Sequence, residues 1–160
     1  MPRIIAIDFG ERRIGVALSD PSRTIATPFT TLPRRRGKRP PIADLVAIME
    51  DQDVDQIVVG LPLALSGEDT AWTATVRAFS DTLAARSGRP VTLIDERFSS
   101  RLAERSVRSM GLRKSDREQK ERVDAGAAAV ILEAYLNTRH LRPPEGERAA
   151  REGDQDAVQE

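Results

Sequence analysis

The sequence predicts an α/β fold: a five-stranded mixed sheet, opening as an antiparallel three-stranded unit and continuing in parallel strands, with helices packed on it. Two observations carry this. Residues 3–31 hold three short apolar runs joined by brief turns, a pattern of consecutive hairpins. Beyond residue 41 apolar runs alternate with amphipathic stretches, and strand-helix-strand alternation implies parallel strands joined by right-handed crossovers.

The elements follow in order. RIIAIDF (3–9) is a buried strand bounded by Gly10, and RIGVALS (13–19) is a second, three residues away. RTIATPFTT (23–31) reads as a third, with Pro28 marking an edge or a bulge. After the basic run RRRGKRPP (34–41), residues 42–52 form an amphipathic helix with Ile42, Leu45, Val46 and Met49 on one face. QIVVG (56–60) is a buried strand. Residues 69–87 form a longer helix using Trp72, Val76, Phe79 and Leu83, closed by Gly88. PVTLID (90–95) is the fifth strand. Ser99 or Ser100 caps a helix to about Met110, ended by Gly111, and the last helix runs from about Glu121 to Thr138.

Composition narrows the function classes. The 160 residues suit one domain, 1–142, followed by an acidic tail, 143–160, with almost no large apolar side chain and an expected lack of order. The tail carries six acids and two arginines, net −4. The other 142 residues hold 23 Lys+Arg and 19 Asp+Glu, so the overall neutrality conceals a basic body. The absence of cysteine excludes disulfides, thiolate metal sites and cysteine nucleophiles. No apolar run approaches the ~18 residues of a membrane span and no signal peptide is evident, so a cytoplasmic protein without membrane contact is expected.

Three carboxylates stand where a core would not place them. Asp8 ends the first strand, Glu96 follows the fifth, and Asp124 lies near the expected start of the last helix, beside AGAAAV. Charges beside apolar neighbours require compensation. A divalent cation supplies it, since oxygen-rich sites suit Mg²⁺ or Mn²⁺. The small residues Ala125 to Ala129 allow close approach of helix to sheet, and the expected helix N-terminus favours Asp124 electrostatically. Any one of these acids could equally be a turn former.

Positive charge follows. Arg97, Arg101, Arg105 and Arg108 fall on one helical face, and Arg113, Lys114, Arg117, Lys120 and Arg122 continue it. Between 97 and 122 there are nine bases and four acids, too few acids to pair with every base, which points to a phosphate backbone. The run Arg34, Arg35, Arg36, Lys38, Arg39 is a second basic segment, open to a purely solvated reading. Trp72, Phe79 and Tyr135 sit at core spacing rather than as base-stacking platforms, and Phe9, Phe29 and Phe98 are ambiguous.

IAIDFGERRIGVALSD (5–20), IVVGLP (57–62), IDERFSS (94–100) and VDAGAAAVILEAYL (123–136) resemble the four blocks of the YqgF/RuvX family, in order over residues 3–138. These are Holliday-junction-resolvase-like nucleases of the RNase H-like superfamily, associated with trimming the small-subunit ribosomal RNA precursor. The resemblance implies an RNase H-like fold and an acidic trio at Asp8, Glu96 and Asp124. It matches Lys120 to the family's basic residue ahead of the last helix. Two departures stand out: Leu63, Ala64 and Leu65 are apolar where the family is often polar, and Ser99 and Ser100 replace threonines.

The expected function is a metal-dependent endonuclease acting on structured nucleic acid, most readily the 5′ end of the 16S rRNA precursor in ribosome biogenesis. Asp8 would bridge two Mg²⁺ or Mn²⁺ ions about 4 Å apart, with Glu96 and Asp124 each holding one. Arg12, Arg97, Arg101, Arg105, Arg108 and Lys120 would contact nucleic acid. Alternatives are resolution of branched DNA, which favours a symmetric homodimer over a monomer, and a non-catalytic nucleic-acid-binding module that assists ribosomal particles. DFGERRIG also resembles the phosphate hairpin of actin and sugar-kinase folds, but those need two such domains and 160 residues supply one.

Overall fold

The computed structural model describes residues 1–34, 39–96 and 116–139, and for 116–123 and 139 the backbone only. Five strands form one sheet: β1 (Arg3–Phe9), β2 (Arg13–Ser19), β3 (Ala26–Pro33), β4 (Val54–Leu61) and β5 (Val91–Asp95), in the order β3-β2-β1-β4-β5. β2 pairs antiparallel with both β1 and β3, whereas β4 pairs parallel with β1 and with β5. The helices are α1 (Ile42–Asp51), α2 (Ala71–Ser87) and α3 (Asp116–Arg139). The mixed sheet with an antiparallel start is therefore present.

β1 is buried on both sides, which is why its sequence is almost continuously apolar rather than alternating. Ile5, Ile7 and Phe9 point to one face, where Leu45 and Met49 of α1 and Val76, Phe79 and Leu83 of α2 complete the larger core. Ile4 and Ala6 point to the other, where Ala128, Ile131, Leu132 and Leu136 of α3 pack on them with Ala17 and Val58. Asp8 continues the Ile4–Ala6 series by period two and faces α3.

Several boundaries differ from expectation by a few residues, some for a local reason. β3 begins at Ala26, because the Asp20 carboxylate accepts the backbone N–H groups of Thr24 (2.8 Å) and Ile25 (2.9 Å) and turns residues 20–25 into a closed loop with Arg23 at φ 58°. Pro28 lies on an edge strand, next to the register shift opposite Val16 and Ala17. α2 starts at Ala71 because Thr70 caps it reciprocally with Thr73, and Gly88 ends it at φ 67°. α3 is described from Asp116, five residues before the apolar periodicity begins, and DREQK favours helix without apolar content. Asp124 is consequently in the third turn of α3, and the helix-terminus stabilisation expected for it is absent. The expected helix from Ser99 to Met110, the loop residues Arg35, Arg36 and Lys38, His140 and the acidic tail lie outside the described residues. Among those described, no helix is long and apolar enough to cross a membrane.

The position of α3 is set by a single glycine. A Cβ added to Gly15 would stand 2.0 Å from the Asp124 carbonyl oxygen and 3.1 Å from the Ala125 nitrogen. The helix backbone therefore rests directly on β2, a closer approach than the alanines of α3 alone would permit. Backbone cannot swing aside as a side-chain tip can. Gly15→Ala is expected to push α3 off the sheet and cost roughly 2–3 kcal/mol, lowering the urea midpoint by about 1 M; equilibrium unfolding checks this.

Candidate active site

The C-terminal ends of β1, β4 and β5 and the start of β2 lie at one edge of the sheet, and the acids gather there on the α3 face. Asp8 is the penultimate residue of β1 and pairs with Gly15 of β2. One step beyond the Ile7–Val59 pair, its neighbour on the other side is Gly60 of β4, which in turn pairs with Ile94 of β5. Asp8 is thus flanked across the sheet by two glycines.

Gly60 explains how Glu96 reaches Asp8. Glu96 follows β5, two strand spacings from β1, or about 10 Å. Its side chain runs back over β4: a Cβ on Gly60 would stand 2.3 Å from Glu96 Oε1 and 2.6 Å from Ile131 Cδ1. Only a residue without a side chain leaves that path open. The Glu96 and Asp8 carboxyls are hydrogen-bonded at its end.

Electrostatics follow from this burial. Removal from water pushes both carboxyls above their ordinary range, Glu96 to about 8, and the charges of Asp8 and Asp95 add to the Glu96 shift. Their mutual hydrogen bond lowers Asp8 and raises Glu96, so Glu96 is the donor in that bond and Asp8 the acceptor. Asp124 is half-buried; its carboxyl is raised by burial, with the Arg13 charge opposing. It is close enough for its charge to raise Asp8. Its carboxylate is paired with Arg13, Nε to Oδ2, at 3.3 Å. Two of the three expected acids thus touch, and the third stands beside them, held by an arginine. Among the described residues no three Asp, Glu, His or Cys side chains converge closely enough to hold a metal ion as they stand.

Arg13 is the functional candidate that the sequence reading missed. Arg12, the arginine the sequence points to, is exposed in the turn, and its carbonyl accepts the Arg34 N–H at 2.8 Å. The signal for Arg13 was period two: Arg13, Gly15 and Ala17 share the face on which α3 packs. Arg97, Arg101, Arg105 and Arg108 lie outside the described residues, and Lys120 lies on α3 with only its backbone described. Arg34, at the head of the basic run, lays its guanidinium 4.4 Å over the Phe9 ring, and Phe9 stacks on Trp72 at 5.5 Å and Phe79 at 4.1 Å. These aromatics are packing elements, and the Tyr135 hydroxyl is hydrogen-bonded to the Gln56 side-chain amide. After β4, Leu63 packs on the larger core while Leu65 is 95% exposed.

The shared proton makes stability depend on pH. A carboxyl whose pKa is higher folded than unfolded contributes stability that is complete below about 4.5 and is lost as pH rises through about 8. Without divalent cations the melting temperature is expected to fall by roughly 5–10 °C between pH 5 and 9. Glu96→Gln should remove most of that slope; thermal melts across this range check both.

The site's relatives are numerous. A protein from Maridesulfovibrio salexigens, provisionally named a pre-16S rRNA nuclease, is 41% identical over 134 residues, covering 84% of this chain and 97% of its own. One of the same provisional name from Chloroflexus aurantiacus is 41% identical over 140 residues, covering 88% and 90%. Among solved structures, Thermus thermophilus RuvC in complex with a Holliday junction substrate superposes with a TM-score of 0.55 at 15% identity, covering 88% of this chain and 96% of that one. The fold is thus the RNase H-like fold of the RuvC resolvases. A family model described as RuvX, Holliday junction resolvase, matches residues 2–138, and the chain belongs to that family.

Proposed function

We propose that this protein is a divalent-metal-dependent endonuclease that cleaves structured nucleic acid, with the 5′ end of the 16S rRNA precursor as its substrate in the cytoplasm. The observation that carries this reading is the partly buried, hydrogen-bonded Asp8–Glu96 pair. A fold does not hide two carboxyls against each other, at the open edge of a sheet and over a glycine, for stability, because burial makes both unfavourable as anions. The relatives' name supplies the substrate class.

The donor set fits Mg²⁺ or Mn²⁺: it is all oxygen, anionic and without histidine or thiolate. Asp8, Glu96 and Asp124 are the residues that would hold such ions, two of them in our reading. When bound, they would activate water and stabilise the leaving oxygen of a phosphodiester. Glu96 must first give up the proton it shares with Asp8, and Asp124 must turn from Arg13. Arg12, Arg97, Arg101, Arg105, Arg108 and Lys120 would supply phosphate contacts that position the backbone without reading sequence. The protein would act as a monomer or homodimer and meet its RNA on ribosomal particles.

A second reading has its own support: the family description names Holliday junction resolution, and a four-way DNA junction offers the same phosphates. One assay separates them. Precursor rRNA and a four-way junction are each incubated with the protein, with and without Mn²⁺ or Mg²⁺. Metal-dependent cleavage of the RNA with the junction left intact is expected; the reverse selects the resolvase, and cleavage of neither leaves a binding module. In whichever reaction is active, Asp8→Asn should cut the rate at least ~100-fold, through loss of an anionic metal ligand, while the melting temperature stays at or above wild type.

A further inference from the structure

We propose that Arg13 is a positioning residue that changes partners: it holds Asp124 in the free protein and passes to a substrate phosphate when Asp124 turns toward a bound cation. This rests on the metal-dependent reading above and adds to it a residue and an order of events.

The geometry makes Arg13 suited to leave. It is the first residue of β2, one step past the Phe9–Ile14 pair, and so lies at the open edge just beyond Asp8. Its backbone is fixed, since its carbonyl accepts the Gly10 N–H at 2.9 Å and closes the turn. The side chain shares the α3 face with Gly15, the position where the Asp124 backbone touches the sheet. The ion pair's Nε–Oδ2 approach is 3.3 Å, longer than the usual 2.7–2.9 Å of a charge-assisted bond. Arg77 and Asp69, by contrast, form a two-pronged pair at 2.8 and 3.0 Å. The Arg13 and Asp124 side chains are 29% and 30% exposed, wet enough to exchange partners and dry enough to feel each other.

The charges make leaving favourable. A guanidinium and a divalent cation cannot both lie against one carboxylate without repelling each other. Released, the guanidinium stays at the edge where a phosphate must approach Asp8, and its planar fork suits two phosphate oxygens. Arg13 thus offsets the buried acids while the site is empty of cations and offsets the substrate's charge afterwards.

The test uses the full chain without nucleic acid first. Mn²⁺ binding is measured by calorimetry for wild type, Arg13→Ala and Arg13→Lys, with Asp8→Asn as the control that should abolish it. Affinity for the cleaved substrate is then measured in Ca²⁺ in place of Mn²⁺. Arg13→Ala should bind Mn²⁺ ~3–10-fold more tightly, because a competing cation is gone, yet bind nucleic acid more weakly. Arg13→Lys should restore nucleic-acid binding in part. Equal or weaker Mn²⁺ binding by Arg13→Ala overturns the partner exchange and makes Arg13 an aid to Asp124 as a ligand. Unchanged nucleic-acid affinity overturns the phosphate role. Absence of Mn²⁺ binding by wild type overturns the metal reading as well, and so is distinguishable from failure of this inference alone.

Discussion

Two carboxyl groups pressed together at the edge of an apolar sheet are the constraint around which this protein is arranged. Water would hydrate both, and the fold withholds part of it. Asp8 and Glu96 accept this only by sharing a proton, with Glu96 pushed up to about 8. The sheet is shaped to allow the contact. Gly60 leaves a path over β4 for the Glu96 side chain, and Gly15 lets α3 sit low enough to bring Asp124 beside the pair. Either glycine, given a side chain, would displace an acid rather than merely crowd a core.

Charge is distributed with the same economy. Asp20, at the end of β2, shows what a structural aspartate looks like in this fold. Its carboxylate is held below the ordinary range by the Ser22 hydroxyl and by the Ile25 and Thr24 N–H groups of the loop that follows. Asp8, one residue short of the end of β1, is shifted the opposite way by burial. Two aspartates at the ends of neighbouring strands thus differ in sign of shift: one is satisfied by its own loop, the other is desolvated and hydrogen-bonded to Glu96. Among the described residues Arg13 sets a partly exposed positive charge beside Asp124, opposing the rise that burial imposes on its carboxyl.

Much of this was legible in the residues. Asp8 stands out because RIIAIDF is apolar on both faces and a charge at its end has no reason to be there. The hairpin of β1 and β2, the parallel crossovers and the small-residue face of α3 follow from periodicity and turn chemistry. The less legible parts depend on register. Period two puts Arg12 and Arg13 on opposite sides, but only the pairing of β2 with β1 and the side on which α3 packs decide that Arg13 meets Asp124. Gly60 reads as a strand terminator until its neighbour across β5 is known. The start of α3 escaped because its first turns are polar all round, and helix there rests on propensity rather than on a buried stripe. Phe9 looked ambiguous because the guanidinium and the two rings that enclose it come from residues 34, 72 and 79.

The central claim is that the Asp8–Glu96 pair, which holds a proton near neutrality, is where a divalent cation binds. Metal ligands must be deprotonated, so binding there has to expel that proton. Calorimetric titration of the protein with Mn²⁺ at pH 7, repeated in two buffers of different ionisation enthalpy, counts it directly. The account predicts release of close to one proton per protein molecule, falling toward zero by about pH 9 as Glu96 ionises on its own. Mn²⁺ binding with no proton released at pH 7 would place the cation elsewhere and contradict it.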